Sequence, residues 1–322
     1  MTDSRTPTAI YINFGDPAIA VETARIANDG GGPCPIEKII RDTIGIHPMA
    51  LLFPNRVSDA GDRRRIQELT DGYADGATYF IERLAAGMRA FAEAFHPNPM
   101  IVRLSDFPSD EYANLIGGRD FEPDEANPMI GFRGAVRYTH PDYADAFSLE
   151  CAAVKKVRDD MGFDNLRPMV PYCRRAGEAR KVIDTMAANG LRRGDQGLEV
   201  YLMAEVPNNA MEIDILASLF DGISIGSRDL AQLALGIDAG ANFVSPEDFD
   251  PCDPGVLEFI RHIIDGANKH NCSVSICGPA PSEHREMAEF VVQCGIDAVS
   301  LRPDSVVETT ALIRKIEAEQ SE

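Results

Sequence analysis

A closed (β/α)8 barrel, the TIM-barrel member of the α/β class, is the fold this 322-residue chain predicts. Three observations predict it. Short apolar runs alternate with segments of helical spacing along the whole chain; the runs are continuous, as strands covered on both faces should be; and the strand-then-helix units number eight. The first run, 9–13, leads into helical spacing over 18–27. A weak glycine-rich strand follows at 30–32, then a long helical stretch over 63–95. The strand at 100–104 leads into irregular sequence over 106–141, expected to be a long functional loop rather than a separate domain. A helix over 143–161, a strand at 166–170 and a helix over 176–189 come next, with Asn189-Gly190 as the stop signal. The run 198–205 precedes a helix over 210–220, and 222–227 precedes a helix beginning near Asp229. The last units pair a helix over 254–270, a strand at 273–277, a helix over 282–294 stopped by Gly295, a strand at 298–301 and a helix over 305–318. With no linker or composition shift, residues 1–322 read as one domain. An open doubly wound sheet is the alternative arrangement of the same units.

The composition narrows function. At 44% apolar and 25% charged residues, with a formal net charge of -20, the chain can bury a large core and repels polyanions. No basic cluster with interleaved aromatics offsets that charge, so nucleic acid is not an expected partner. No stretch approaches the roughly 20 apolar residues that cross a bilayer, and the polar opening lacks a signal-peptide layout. A soluble cytoplasmic protein is expected. The seven cysteines form no CxxC pair, which points to reduced thiols rather than a disulfide framework or zinc spacing.

The chemistry-bearing residues fall at strand ends. Glu205 closes one apolar run, and Asp229 follows the next, in Gly226-Ser227-Arg228-Asp229. Parallel strands bring their carboxyl ends to one face, so these two acids are candidate ligands for magnesium or manganese. Asp229 also suits a helix cap, and Glu205 a salt bridge to a barrel arginine. Arg103 ends the run at 100–103, and Arg133 lies between Gly131-Phe132 and Gly134. Their guanidinium forks match carboxylate or phosphate oxygens, although each also suits a purely structural ion pair. Cys277, in Ile276-Cys277-Gly278-Pro279, is placed to act as a nucleophile or a proton donor. No histidine lies near it in sequence, and His47, His140 and His284 are given no chemical role.

Longer text carries a resemblance. Ile44-Gly-Ile-His-Pro48, Ile101-Val-Arg-Leu-Ser-Asp106, Glu111-Tyr-Ala-Asn-Leu-Ile-Gly-Gly118, Asn127-Pro-Met-Ile-Gly-Phe-Arg-Gly134, Gly197-Leu-Glu-Val-Tyr201 and Ile223-Ser-Ile-Gly-Ser227, with Ser300-Leu301 and Pro303-Asp-Ser-Val306, resemble the carboxy-terminal phosphoenolpyruvate (PEP)/pyruvate-binding barrel of PEP synthase and pyruvate phosphate dikinase. The resemblance covers nearly the whole chain from about Ala9 onward. It implies a (β/α)8 barrel, Mg2+ held by Glu205 and Asp229, and PEP or pyruvate held by Arg103 and Arg133. It further implies Cys277 as the acid or base at the enolate carbon, substrate contacts around Gly226 and Ser227, and a homodimer.

The departures from that family pattern cluster at predicted strand ends. Pro35, in Asp29-Gly-Gly-Gly-Pro-Cys-Pro35, stands where the family places a substrate-binding arginine. Arg228 replaces an asparagine, Ala239-Gly240-Ala241 replaces Arg-Asp-Ser, and Pro279 replaces glutamine. Neither a nucleotide-binding loop nor a phosphohistidine segment is present among these residues. A stand-alone Mg-dependent enzyme acting on a small anionic 2-oxo acid or phospho-enol through an enolate is the first expectation, with Arg228 as a replacement anion contact. The pyruvate side of a split phosphotransferase, served by a separate phosphohistidine protein, is the second. A non-catalytic PEP- or pyruvate-binding regulator is the third.

Overall fold

The computed structural model describes residues 8–238 and 249–320. Eight parallel strands close into a barrel in sequence order: β1 (Ala9–Ile12), β2 (Gly30–Pro35), β3 (Met100–Arg103), β4 (Leu166–Val170), β5 (Tyr201–Ala204), β6 (Gly222–Gly226), β7 (Ser273–Cys277) and β8 (Ala298–Leu301). β8 pairs with β1, which rules out the open sheet. Strand alternation sorts the side chains into two apolar layers. On β3, Met100 and Val102 pack outward against the helices, whereas Ile101 joins Met169, Tyr201, Met203 and Cys277 inside the barrel. Arg103 shares parity with Ile101, as Glu205 does with Tyr201 and Met203. Both charged groups therefore continue inward-facing rows beyond the apolar plug and reach its carboxyl-end mouth.

The expected helical stretch over 63–95 is two helices, Ala60–Thr70 and Gly76–Phe95. Between them Gly72 takes φ +88°, and the Asp75 carboxylate caps the second helix by accepting from Thr78 N at 2.7 Å. The expected helices at 210–220 and 282–294 are likewise each divided in two, at Glu212 and at His284. The weak strand at 30–32 extends to Pro35, bringing Pro35 into register with Arg103. The stretch 106–141, expected to be irregular, is a string of short turns and helices that includes Ser109–Ala113 and Ala135–Tyr138.

That stretch is fastened by a fully buried guanidinium. Arg137 donates through Nη1 and Nη2 to Glu122 at 2.5 and 2.7 Å, and also to the Phe132 carbonyl. Its plane lies near the rings of Tyr112, Phe132 and Tyr143. His47, also buried, shares Glu122 at 2.9 Å while its Nδ1 accepts from Met49 N at the start of the helix Pro48–Leu52. His47 is thus a structural residue. Truncating Arg137 would strand the Glu122 carboxylate out of water. Arg137→Ala is expected to lower unfolding free energy by about 3–5 kcal/mol in a urea titration; a change within about 0.5 kcal/mol would contradict this role.

Candidate active site

β3, β5 and β6 each deliver one acid to the mouth. Asp106, Glu205 and Asp229 bring one carboxylate oxygen apiece within 4.8 Å of one another. Glu205 follows β5 directly, and its Oε1 accepts from Tyr172 N at 2.7 Å. Asn209 steadies the same turn, accepting from the Glu205 and Val206 amides and donating to the Cys173 carbonyl. β6 ends in Gly226 because a Cβ there would meet Glu205 Oε2 at 2.9 Å. The helix Ser227–Leu235 starts at once, so Asp229 sits in its first turn, near the positive end of the helix dipole. Burial drives the Glu205 carboxyl well above its ordinary range, and the Asp229 and Asp106 charges push further in the same direction.

Two arginines oppose this charge. Arg133 grips Asp106 with Nε at 3.0 Å and Nη2 at 2.5 Å, and the same Nη2 reaches Asp229 at 3.2 Å. Its guanidinium carbon lies 4.0 Å from the Tyr172 ring centroid. Arg103 donates to Glu37 Oε1 at 2.7 Å, and that oxygen also accepts from Asp106 N. Burial disfavours both guanidinium charges, but the surrounding carboxylates outweigh it and raise both pKa values. Arg103 Nε and Glu37 Oε2 are buried and have no hydrogen-bond partner among the described residues.

The open space beside these groups is a cavity of about 340 Å3. Arg103, Glu205, Gly226, Ser227, Arg228, Asp229 and Cys277 line it together with Pro35, Met203, Pro279 and the turn Asn13-Phe14-Gly15. Every site residue expected from sequence is here except Arg133, which lies behind the acids and not on the cavity wall. Ser227 Oγ is turned toward the backbone, donating to the Cys277 carbonyl at 2.7 Å. Cys277 pairs in register with Gly226 and is buried. Burial pushes its thiol up to about 12, with the Ser224 hydroxyl acting in the opposite direction. Arg228 is exposed and has no carboxylate partner among the described residues. Of the expected departures, Pro35, Arg228 and Pro279 line this one cavity, whereas 239–241 lies outside the described residues.

Asp106, Glu37 and Tyr172 carry roles that sequence reasoning did not assign. Asp106 stands three residues beyond β3, much as Asp229 stands three beyond β6, and that shared offset was the available signal. Tyr172 had none: its backbone takes φ +45°, a region unusual for an aromatic residue, so that its amide can meet Glu205. Three carboxylate oxygen donors at this spacing suit a hard divalent cation such as Mg2+, and the raised Glu205 pKa is consistent with a site short of positive charge.

A closed parallel barrel with oxygen donors, arginines and a thiol at the carboxyl ends of its strands defines a barrel enzyme domain. The chain belongs to the family described as PEP-utilising enzyme, PEP-binding domain, whose model matches residues 1–318. It is 47% identical over 314 residues to the phosphoenolpyruvate synthase of Synechocystis, covering 97% of this chain and 38% of that protein. Against the phosphoenolpyruvate synthase of Pseudomonas aeruginosa it is 45% identical over 304 residues, covering 94% and 38%. The chain thus spans about two fifths of the length of these relatives. Among solved structures, Haloferax volcanii malate synthase in a pyruvate/acetyl-CoA ternary complex matches with a TM-score of 0.51 at 11% identity, over 97% of this chain and 70% of that one, a likeness of fold. Among the described residues no helix is long and apolar enough to cross a membrane.

Behind the acids, buried Glu150 anchors the segment that carries Asp106. It accepts from Ser105 N at 3.1 Å and Ser105 Oγ at 2.5 Å, with Tyr143 nearby. Burial raises its pKa from an ordinary 4.5 to about 7. Between those values the folded chain keeps a proton that the unfolded chain releases. This contribution is therefore complete below about pH 4.5 and is lost as pH rises through 7, amounting to roughly 3 kcal/mol. Glu150→Gln should remove that component from urea-derived stability measured between pH 4.5 and 8. A difference between wild type and variant that stays constant across this range would contradict the assignment.

Proposed function

We propose that this barrel binds PEP, pyruvate or a closely related 2-oxo acid and interconverts its keto and enolate forms, with Cys277 handling the proton at C3. The observation that carries the reading is that the thiol, two acids and two arginines line a single cavity of about 340 Å3. In the direction of ketonisation, the Cys277 Sγ–H bond breaks, the proton goes to C3 of the enolate, and the enolate electron pair forms the new C–H bond as the C2 carbonyl is restored. In reverse the thiolate removes a C3 proton, and the electrons move onto the C2 oxygen. Asp106, Glu205 and Asp229 would hold Mg2+ or Mn2+, which when bound would supply positive charge to the oxygens of the ligand. Arg103, held by Glu37, presents a guanidinium to the same anion. Arg133 keeps Asp106 and Asp229 in position rather than meeting the ligand.

The phosphoryl source is a second level of the reading. The relatives named as phosphoenolpyruvate synthases carry most of their length outside the matched region, which favours a phosphohistidine-bearing segment or separate protein as the donor to the enolate oxygen. A regulatory barrel that only senses the ligand would keep the acids and arginines but have no use for the thiol.

In D2O with Mg2+, wild-type protein is expected to exchange the methyl protons of pyruvate, followed by proton NMR. Cys277→Ala should slow that exchange by about 10²–10⁴-fold while leaving pyruvate binding within a few-fold. Equal exchange by the two proteins would remove Cys277 from the reaction, and binding without exchange in wild type would favour the sensor. Arg228 supplies a separate check. As an exposed arginine with no carboxylate partner among the described residues it should contribute about 1.5–3 kcal/mol to an anionic ligand, so Arg228→Ala should weaken pyruvate binding by roughly 10- to 150-fold at fixed Mg2+ in calorimetry. Unchanged affinity would exclude it from the ligand.

A further inference from the structure

A second set of metal-type donors lies away from the cavity. Asp250, Cys252 and His284 bring a carboxylate oxygen, a sulfur and a ring nitrogen within 4.8 Å of one another. They come from two segments. Asp250 and Cys252 belong to the turn leading into the helix Pro254–Lys269, and His284 is the junction between the helices Ala280–Glu283 and Arg285–Gln293.

Local packing leaves these groups under-used. Asp250 Oδ1 accepts from Cys252 N at 2.8 Å, and its carboxylate has no cationic partner among the described residues. The His284 ring makes no hydrogen bond to any of the described residues, although the residue is only half-exposed. Cys252 is a half-buried free thiol whose pKa burial, and then the Asp250 and Glu286 charges, push up to about 12, a shift that a bound cation would reverse. A solvated surface turn accounts for the Asp250 contact alone. It does not account for a sulfur and an imidazole from two segments meeting the same carboxylate.

We propose that Asp250, Cys252 and His284 form a zinc site. One sulfur, one nitrogen and one oxygen are a zinc donor set, with the fourth tetrahedral position left for water. The three acids of the cavity offer oxygen alone, so donor softness would sort a borderline cation to this site and a hard one to the cavity. The ion joins the turn before Pro254–Lys269 to the segment that follows β7, five residues beyond Pro279 on the cavity wall. It therefore clamps part of the lip of the mouth. This proposal is independent of the enolate reading.

The test uses the full chain, stripped with a chelator and titrated with Co2+ in excess Mg2+. One equivalent of Co2+ should produce a thiolate-to-cobalt charge-transfer absorption that Zn2+ abolishes by displacement. Cys252→Ala should lose the absorption, and Cys277→Ala, which removes the thiol beside the carboxylate cluster, should retain it. Outer-shell partners typically account for 10- to 100-fold in metal affinity, so losing a direct ligand in His284→Ala should weaken Co2+ binding by more than about 100-fold. The proposal is overturned if wild type shows no absorption, if the absorption survives Cys252→Ala or disappears in Cys277→Ala, or if His284→Ala binds Co2+ as tightly as wild type.

Discussion

Three carboxylates drawn within 4.8 Å of one another are the constraint on which the rest of the site depends. Like charges at that separation and at this burial repel strongly, and each costs free energy to remove from water. The surrounding chain holds them by fixing each from behind. Tyr172 N and Asn209 orient the segment around Glu205, Arg133 grips Asp106 from the side, and Asp229 stands in the first turn of a helix. The compensation is incomplete, as the raised Glu205 pKa and the unpartnered Glu37 Oε2 and Arg103 Nε indicate. A site left short of positive charge is suited to a cation and an anion arriving together.

Barrel parity explains how an apolar core and a charged mouth share the same strands. Ile101, Met203 and Cys277 belong to the interior layer, and one or two steps further along those rows the side chains become Arg103 and Glu205. Burying the lower part of each row fixes the register, because a slip of one residue would exchange inward and outward faces. The order at the mouth is therefore a consequence of the plug beneath it. Gly226 makes the same link locally, since only the absence of a Cβ lets β6 pass Glu205.

The strands were legible because parallel strands covered on both faces must be continuously apolar, and Glu205 was legible because a charge interrupts that rule. Helix boundaries were less so: one helix over 63–95 was expected although Asp71-Gly72 and Asp75-Gly76 are turn dipeptides, and the chain divides there through Gly72 and the Asp75 cap. Arg133 exposes a deeper limit. A guanidinium between glycines fits a ligand and a protein carboxylate equally well, and only the fold reveals that Asp106 and Asp229 occupy it. Asp106 was passed over although its offset from β3 matches that of Asp229 from β6, because it lies in a loop whose return to the mouth depends on Glu150 and Arg133.

Pro35 and Arg228 acquire a physical relation once both line one cavity. Pro35 pairs in register with Arg103, so that side of the mouth offers a single guanidinium, already engaged by Glu37. Arg228 stands in the first turn of Ser227–Leu235, where the helix dipole disfavours a cation by typically 0.3–1 kcal/mol. Neighbouring Asp229 offsets part of that cost, but Asp229 already faces Arg133. An anion entering from the cavity would relieve both conditions, meeting Arg228 directly and the positive end of the helix beside it. Among the described residues lining the cavity, Arg228 is the cation without a protein carboxylate to satisfy it, and this supports a ligand whose anionic group is held from the β6 side.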